Sequence, residues 1–213
     1  MKTKELLRHG EGSVAYEWLV KHEYPWQAVP HIGECILEIG EALPKEKYDR
    51  EGDVWVAKSA TVAKTALING PAIIGEGAEV RHCAYIRGNV IIGDGCVVGN
   101  SCEVKNSILL SGVQIPHYNY VGDSVLGYRA HMGAGSVASN VRGDKRTVCV
   151  WQNGEKTDTG LRKLGAMVGD FAEIGCGCVL NPGAVVGVGA RIYPLCSVRG
   201  EIGENEVYRG RGE

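Results

Sequence analysis

Aliphatic residues recur along this chain at intervals of six. One run is Val56, Val62, Ile68, Ile74, Val80, Ile86, Ile92, Val98, Val104 and Leu110. A second is Val168, Ile174, Leu180, Val186, Ile192 and Val198. An α-helix repeats its apolar face near 3.6 residues and a single strand repeats at two, so neither explains the pattern. A sustained period of six predicts a mainly β fold, the hexapeptide β-helix, in which three hexads close one triangular coil. The aliphatic residue of each hexad points inward, and successive coils stack at strand spacing, about 4.8 Å. Two positions earlier stands a small residue, as in Ala60, Ala66, Ala72, Ala78, Ala84, Cys96, Cys102, Ala172, Cys178, Ala184, Ala190 and Cys196. A sharp corner leaves room only for such side chains.

Residues 1–52 lack the rhythm and read as an N-terminal helical cap on the first coil or on a neighbouring subunit. Ile32, Ile36, Ile39 and Leu43 share one helical face that ends at Pro44. Ser13 is placed to cap a short helix carrying Val14, Trp18 and Leu19. Residues 53–200 form the β-helix. After Leu110 the rhythm slips by one, with Ile115 and Val121, then Leu126 and Met132. Residues 138–166 abandon it, and Val148, Val150 and the pair Asn153-Gly154 predict a hairpin there. In a repeat protein such an excursion maps to a loop on one face, often the functional one. Residues 201–213 read as a polar tail, too short for another coil.

Composition fits a narrow prism: 31 glycines and a single phenylalanine. A net charge of −2 points to neither nucleic acid nor an acidic membrane as partner. No apolar stretch approaches 18 residues, so a cytoplasmic protein is expected. Eight cysteines raise disulfides or a metal, but four occupy the small-residue register and no CxxC is present. No metal site is expected.

Arg87 and Lys105 interrupt the pattern, since each follows an inward aliphatic residue where glycine is usual. Their separation is 18, one coil, so two cations are stacked at strand spacing and an anion would offset their repulsion. The alternative is a pair of solvated side chains on a prism face. His117, in the segment IPHYNYVGD at the slip of the rhythm, is the candidate for proton transfer, with Tyr120 three residues on. A lone histidine is as readily structural. His131 lies in HMGAGS, whose glycines permit close backbone approach to a ligand.

Arg87, Lys105, HYNYVGDSVLG, MGAG and Asn140 together resemble the C-terminal acetyltransferase domain of the bifunctional N-acetylglucosamine-1-phosphate uridyltransferases. The archaeal sugar-1-phosphate nucleotidyltransferase/acetyltransferases are closer, through the stretch SNVRGDK…GLRKLGAMVGD. The resemblance covers about residues 54–200. It implies a left-handed parallel β-helix, a homotrimer with active sites between subunits, and acetyl-CoA as cosubstrate. It makes His117 the general base, with Asn140 assisting. Arg87, Lys105, Tyr120 and His131 become the acceptor site, joined by Lys145 or Arg146 from the loop. Ala134 and Cys176 line the acetyl-CoA groove, and Arg209 or Arg211 meets the CoA phosphates. His131 stands where the bacterial pattern has Asn, and Val141 where it has Tyr.

The implied function is a stand-alone acetyltransfer to the amine of an amino-sugar phosphate such as glucosamine 1-phosphate, or of a related sugar nucleotide, in UDP-N-acetylglucosamine biosynthesis. Backbone N–H groups at Gly133–Gly135 are candidates for the oxyanion site. Residues 1–50 contain no Gly-rich nucleotide loop, so nucleotidyl transfer is not expected. Two alternatives remain, a non-catalytic sugar-phosphate binder and a sugar O-acetyltransferase. A zinc-dependent carbonic anhydrase of this architecture needs two histidines five residues apart, and Gly122 stands five after His117.

Overall fold

In a computed structural model that describes residues 1–210, the hexads form three parallel sheets, of nine, eight and seven strands once the antiparallel edge strand Tyr48–Glu51 is counted in the first. Val56 pairs with Ile74 and Ile74 with Ile92 in the nine-stranded sheet. Val62 pairs with Val80 in the eight-stranded sheet, and Ile68 with Ile86 in the seven-stranded one. The inward residues Ile74, Val80, Ile86, Ile92, Val98 and Val104 are fully buried, which is why each of these positions is aliphatic. Cys96 and Cys102 fill corners as alanine would. Burial pushes the Cys96 thiol up to about 12.

The first slip falls one hexad earlier than the spacing pattern suggested. Leu109, not Leu110, pairs with Ile92 above and Leu126 below. Leu110 turns outward and joins a second cluster. Val104 to Leu109 and Val121 to Leu126 therefore span five residues each, whereas Ile115 to Val121 keeps six. Both shortened corners lie on the edge between the seven- and nine-stranded sheets. His117 does not lie at a slip.

The N-terminal segment is a lateral cover and not an end cap. The nine-stranded sheet carries a second apolar column pointing out of the prism: Ile73, Ile91, Ile108, Val125, Met167 and Val185. Each such side chain left in water would forgo about 1.5–3 kcal/mol. Leu6, Leu19, Trp26, Ile32 and Ile36 bury this column. The expected helix is present at Ile32–Ala42, with Gly40 set against Trp55, whose indole would stand 2.6 Å from a Cβ there. Ser13 is not a cap. Helix Tyr16–Leu19 starts after Ala15, and Ser13 Oγ instead donates to Ser111 Oγ at 2.8 Å.

The excursion forms the expected hairpin, Cys149–Gln152 against Glu155–Asp158. Asn153 and Gly154 turn at φ 50° and 80°, the left-handed pair that suits strand twist. Val148, Val150 and Leu164 add to the cover over the nine-stranded sheet. The expected tail is further solenoid: Glu201–Ile202 pairs with Val185–Val186, and Val207–Tyr208 with Arg191–Ile192. Ile202 is buried, so polar composition around it did not prevent a coil.

Candidate functional site

The shortened edge of the seven-stranded sheet gathers a buried carboxylate and its donors. Tyr120–Gly122 pairs with Glu103–Lys105, which sets Lys105 one coil from the start of the turn at Asp123. Lys105 Nζ donates to Asp123 Oδ2 at 3.2 Å. Asn106 Nδ2 donates to Asp123 Oδ1 at 2.8 Å, and Asn140 Nδ2 donates to Oδ2. The Asp123 side chain is only 5% exposed, so its oxygens must find their partners within the protein. Three donors converge on it, as a buried charge requires.

Tyr120 completes the cluster. A Cβ at Gly122 would stand 2.6 Å from Tyr120 Oη and 2.8 Å from Asn140 Nδ2, so the missing side chain is what lets the two meet. Desolvation raises the Tyr120 phenol above its ordinary value, and the Asp123 and Glu103 charges add to that. The phenol is therefore a hydrogen-bonding group here and not an ion. The excursion is tied to the same place: Leu164 N–H donates to Asn140 O at 3.0 Å, and Gly165 N–H to Asp123 O at 2.8 Å.

Arg87 stands one coil above Lys105, as the spacing of 18 required, since Ile86 pairs with Val104. The two cations are not left to repel each other. Arg87 Nη1 lies 2.6 Å from Glu103 Oε1, while Lys105 is held by Asp123. An anion is thus not needed to relieve the stack, contrary to what the spacing alone suggests, because each cation has its own carboxylate. Arg87 is exposed and its carboxylate half-exposed, so the pair is open to exchange with a ligand.

His117 ends strand Gln114–His117 of the eight-stranded sheet, at the opposite corner of the seven-stranded one, with an exposed side chain. Its backbone is fixed from inside. Asn119 occupies the small-residue register two places before Val121, where its neighbours in the column are Cys102 and Ser136. Buried Asn119 accepts from His117 N–H at 3.1 Å, and its amide donates to Gly133 O at 2.8 Å and Ser136 Oγ at 3.0 Å. This polar plug behind the histidine was legible as a break in the small-residue rule. Asp123, Asn106, Glu103 and Asn119 are site residues that sequence reasoning did not single out.

His117, Ala134 and Cys176 form one column. Gly135 N–H donates to His117 O at 3.0 Å and Gly177 N–H to Ala134 O at 2.9 Å, which stacks the three coils in register. The amides of Gly133 and Gly135 are committed, the former to Ile174 O at 2.7 Å, so neither is free for an oxyanion. Below the column opens a cleft of about 560 Å³ lined by Tyr193, Pro194, Leu195, Ser197, Arg199 and Arg209. The Arg209 guanidinium sits 5.1 Å from the Tyr193 ring centre. Arg211 lies outside the described residues.

Three expected participants stand apart within one protomer. His131 opens the strand next to that of His117 in the eight-stranded sheet, opposite Gln114 and away from Lys105, with Nδ1 3.1 Å from Glu173 Oε2. Lys145 and Arg146 are exposed on the excursion, and no bond among the described residues ties either to Lys105 or Arg87. Arg146 N–H instead donates to Asp144, whose carboxyl the Arg142 guanidinium holds well below its usual range.

A family described as the GMPPB C-terminal domain matches residues 68–150. A bifunctional sugar-1-phosphate nucleotidylyltransferase/acetyltransferase of Sulfurisphaera tokodaii is 38% identical over 103 residues, 48% of this chain and 26% of that protein. The bifunctional protein GlmU of Methanocaldococcus jannaschii is 36% identical over 107 residues, 50% of this chain and 26% of that protein. The chain spans about a quarter of the length of these relatives. The UDP-N-acetylglucosamine O-acyltransferase LpxA of Moraxella catarrhalis RH4 covers 72% of this chain and 62% of its own, at 12% identity and a TM-score of 0.44. The resemblance drawn from Arg87, Lys105, His117, Tyr120 and Asn140 is to the same kind of bifunctional protein.

Proposed function

We propose that this chain is a CoA-dependent acetyltransferase acting on the amine of an amino-sugar phosphate, of which glucosamine 1-phosphate is the first candidate. The observation that carries the reading is the gathering of Lys105, Tyr120 and Asn140 around Asp123 at one corner of the seven-stranded sheet, with Arg87 one coil above and His117 at that sheet's opposite corner. Cations and neutral donors suit a sugar phosphate. An exposed imidazole suits removal of a proton from the attacking amine, without which the amine is not a nucleophile.

The column below His117 fits the cosubstrate. Ala134 is small and half-exposed, and Cys176 is exposed. Arg199 and Arg209 form no ion pair with a carboxylate among the described residues, leaving them to meet phosphates. The acetyl thioester supplies the electrophilic carbon. His117 takes the amine proton, the Ala134 amide is the candidate donor to the developing oxyanion, and Lys105 and Arg87 hold the acceptor's phosphate. No bond to the Ala134 N–H is present among the described residues.

His131, Lys145 and Arg146 join this site from a second protomer in a homotrimer. One protomer keeps them apart from Lys105, and residues of the N-terminal segment already cover the nine-stranded sheet, leaving two faces for neighbours. No described helix is long and apolar enough to cross a membrane, in keeping with a cytoplasmic enzyme.

The test is thiol release from acetyl-CoA against a panel of amino-sugar phosphates, hydroxyl-only sugar phosphates and sugar nucleotides. Release with the amino sugars supports the reading. Release only with hydroxyl acceptors makes it an O-acetyltransferase, and binding without release makes it a non-catalytic sugar-phosphate protein. Neither outcome would leave the proposal standing.

A further inference from the structure

Of the eight cysteines, only Cys83 and Cys176 are exposed. Burial pushes Cys35 and Cys96 up to about 12 and also raises Cys102 and Cys178, so these thiols are protonated and shielded. Cys83 differs from Cys176 in its surroundings. It sits at a left-handed corner, φ 57°, that turns its side chain out beside His82. His82 Nε2 lies 3.3 Å from Cys83 Sγ. His82 Nδ1 lies 2.7 Å from Thr65 Oγ1, one coil above. Cys83 N–H donates to the same Thr65 Oγ1 at 3.3 Å. The backbone of His82 is pinned from below, its carbonyl accepting from Asn100 Nδ2 at 3.1 Å and from Ser101 N–H at 3.2 Å.

A nucleophile, a base within hydrogen-bond reach and a third group orienting the base form a recognised chemical constellation. Both arrangements of its protons favour the same outcome. If Nδ1–H donates to Thr65, the Nε2 lone pair faces the thiol and can take its proton. If the Thr65 hydroxyl donates to Nδ1, Nε2–H donates to sulfur and holds it beside the ring as it attacks.

We propose that Cys83 is a nucleophilic thiol served by His82 and oriented through Thr65, and that it is a modification site for low-molecular-weight disulfides. The Cys83 proton passes to His82 Nε2 as Sγ attacks one sulfur of the disulfide. The S–S bond of the reagent breaks, a mixed disulfide forms on Cys83, and the departing thiolate takes the proton back from His82. The external disulfide is the oxidant: the Cys83 electron pair becomes the new S–S bond, the old S–S pair leaves on the departing sulfur, and Cys83 sulfur is oxidised by one unit as the departing sulfur is reduced by one. Cys83 stands two coils above Tyr118 on the same corner, so an adduct lies about 10 Å from the corner carrying His117.

The test uses the whole chain and does not depend on any acyl transfer. The reduced protein is treated with limiting iodoacetamide, and peptide mass spectrometry follows Cys83 and Cys176 in the same sample. Cys83 is expected to react at least about fivefold faster than Cys176. His82→Gln should bring the two rates together by slowing Cys83 alone, and Thr65→Val should slow it partly. Continued protection of Cys96 and Cys102 shows that the coils remain folded in each variant. Glutathione disulfide should then load Cys83 first, reversibly by dithiothreitol. A smaller ratio in the wild-type chain, or a Cys83 rate untouched by His82→Gln, overturns the proposal.

Discussion

Lys105 Nζ and Asp123 Oδ2 lie 3.2 Å apart across one coil, the cation 21% exposed and the carboxylate 5% exposed. Arg87 and Glu103 make the shorter contact, 2.6 Å, but at 43% and 36% exposure. Burial, not distance, decides which pair matters to the fold. Lys105→Ala leaves Asp123 charged and buried with only two amide donors, and should cost about 3 kcal/mol in chemical denaturation. Arg87→Ala strips a solvated pair and should not measurably change stability. Both variants should raise the acceptor KM more than that of acetyl-CoA. Equal stability losses would show that Asp123 is not held as described.

His117→Ala should lower kcat by about 10²–10⁴ with the fold intact, because the side chain is exposed and its loss opens no cavity. The wild-type rate should fall on the acid side as the imidazole takes up its proton, and that limb should vanish in the variant. Steady-state rates across pH check both points. Activity within threefold of wild type on the true acceptor would remove His117 from the chemistry.

Gly122→Ala tests the contact over the glycine. The new Cβ would sit 2.6 Å from Tyr120 Oη, the far end of a side chain that can swing away. Stability should drop by only about 1 kcal/mol. The acceptor KM should rise about tenfold, the loss of one hydrogen-bonding partner. Calorimetric binding of a sugar phosphate at wild-type affinity would place the acceptor elsewhere.

Asp170 gives a pH signature. It is fully buried and accepts from His9 N–H and Tyr128 N–H, each at 2.7 Å, but desolvation outweighs these bonds and raises its pKa. A raised folded-state pKa means that the stability it confers is present below the ordinary carboxylate range and is lost as pH rises through the folded value. Relative to Asp170→Asn, the wild-type chain should therefore lose stability as pH climbs from about 4 upward. Denaturation midpoints of both proteins across pH measure this, and parallel curves would contradict it.

Light scattering should return the mass of three chains at micromolar concentration. A stable monomer would leave His131 and the loop cations without the partner that brings them to Lys105.

The inward columns were legible because one aliphatic residue per hexad is a strong signal, and Arg87, Lys105 and Tyr120 fell on successive coils as their spacing required, with Asn140 beside them at Asp123. Leu109 and Leu110 show the limit. Two adjacent leucines satisfy either register, and only the pairing with Ile92 and Leu126 decides between them. The outward column from Ile73 to Val185 was hidden in a different way. Residues flanking an inward position look like ordinary strand, so their apolar character did not announce a covered face. Asp123 escaped notice because carboxylates are common in turns, and its burial comes from the excursion folding back at Leu164 and Gly165. The polar end at Glu201–Tyr208 misled for the same reason: one inward side chain per strand suffices, and Ile202 supplies it.

The lateral cover changes what kind of object this prism is. A plain stack of coils touches only nearest neighbours and frays from its ends. Here the first residues of the chain are laced to coils far apart: Ser13 to Ser111, His9 to Asp170, Arg8 to Glu204 and the Met1 carbonyl to Gln152. Such contacts close very long loops, so they form late and slow the folding. Once made, they tie the loss of one coil to the loss of the others. The molecule should melt as a single unit, and a chain lacking its first 30 residues should instead lose its coils piecemeal.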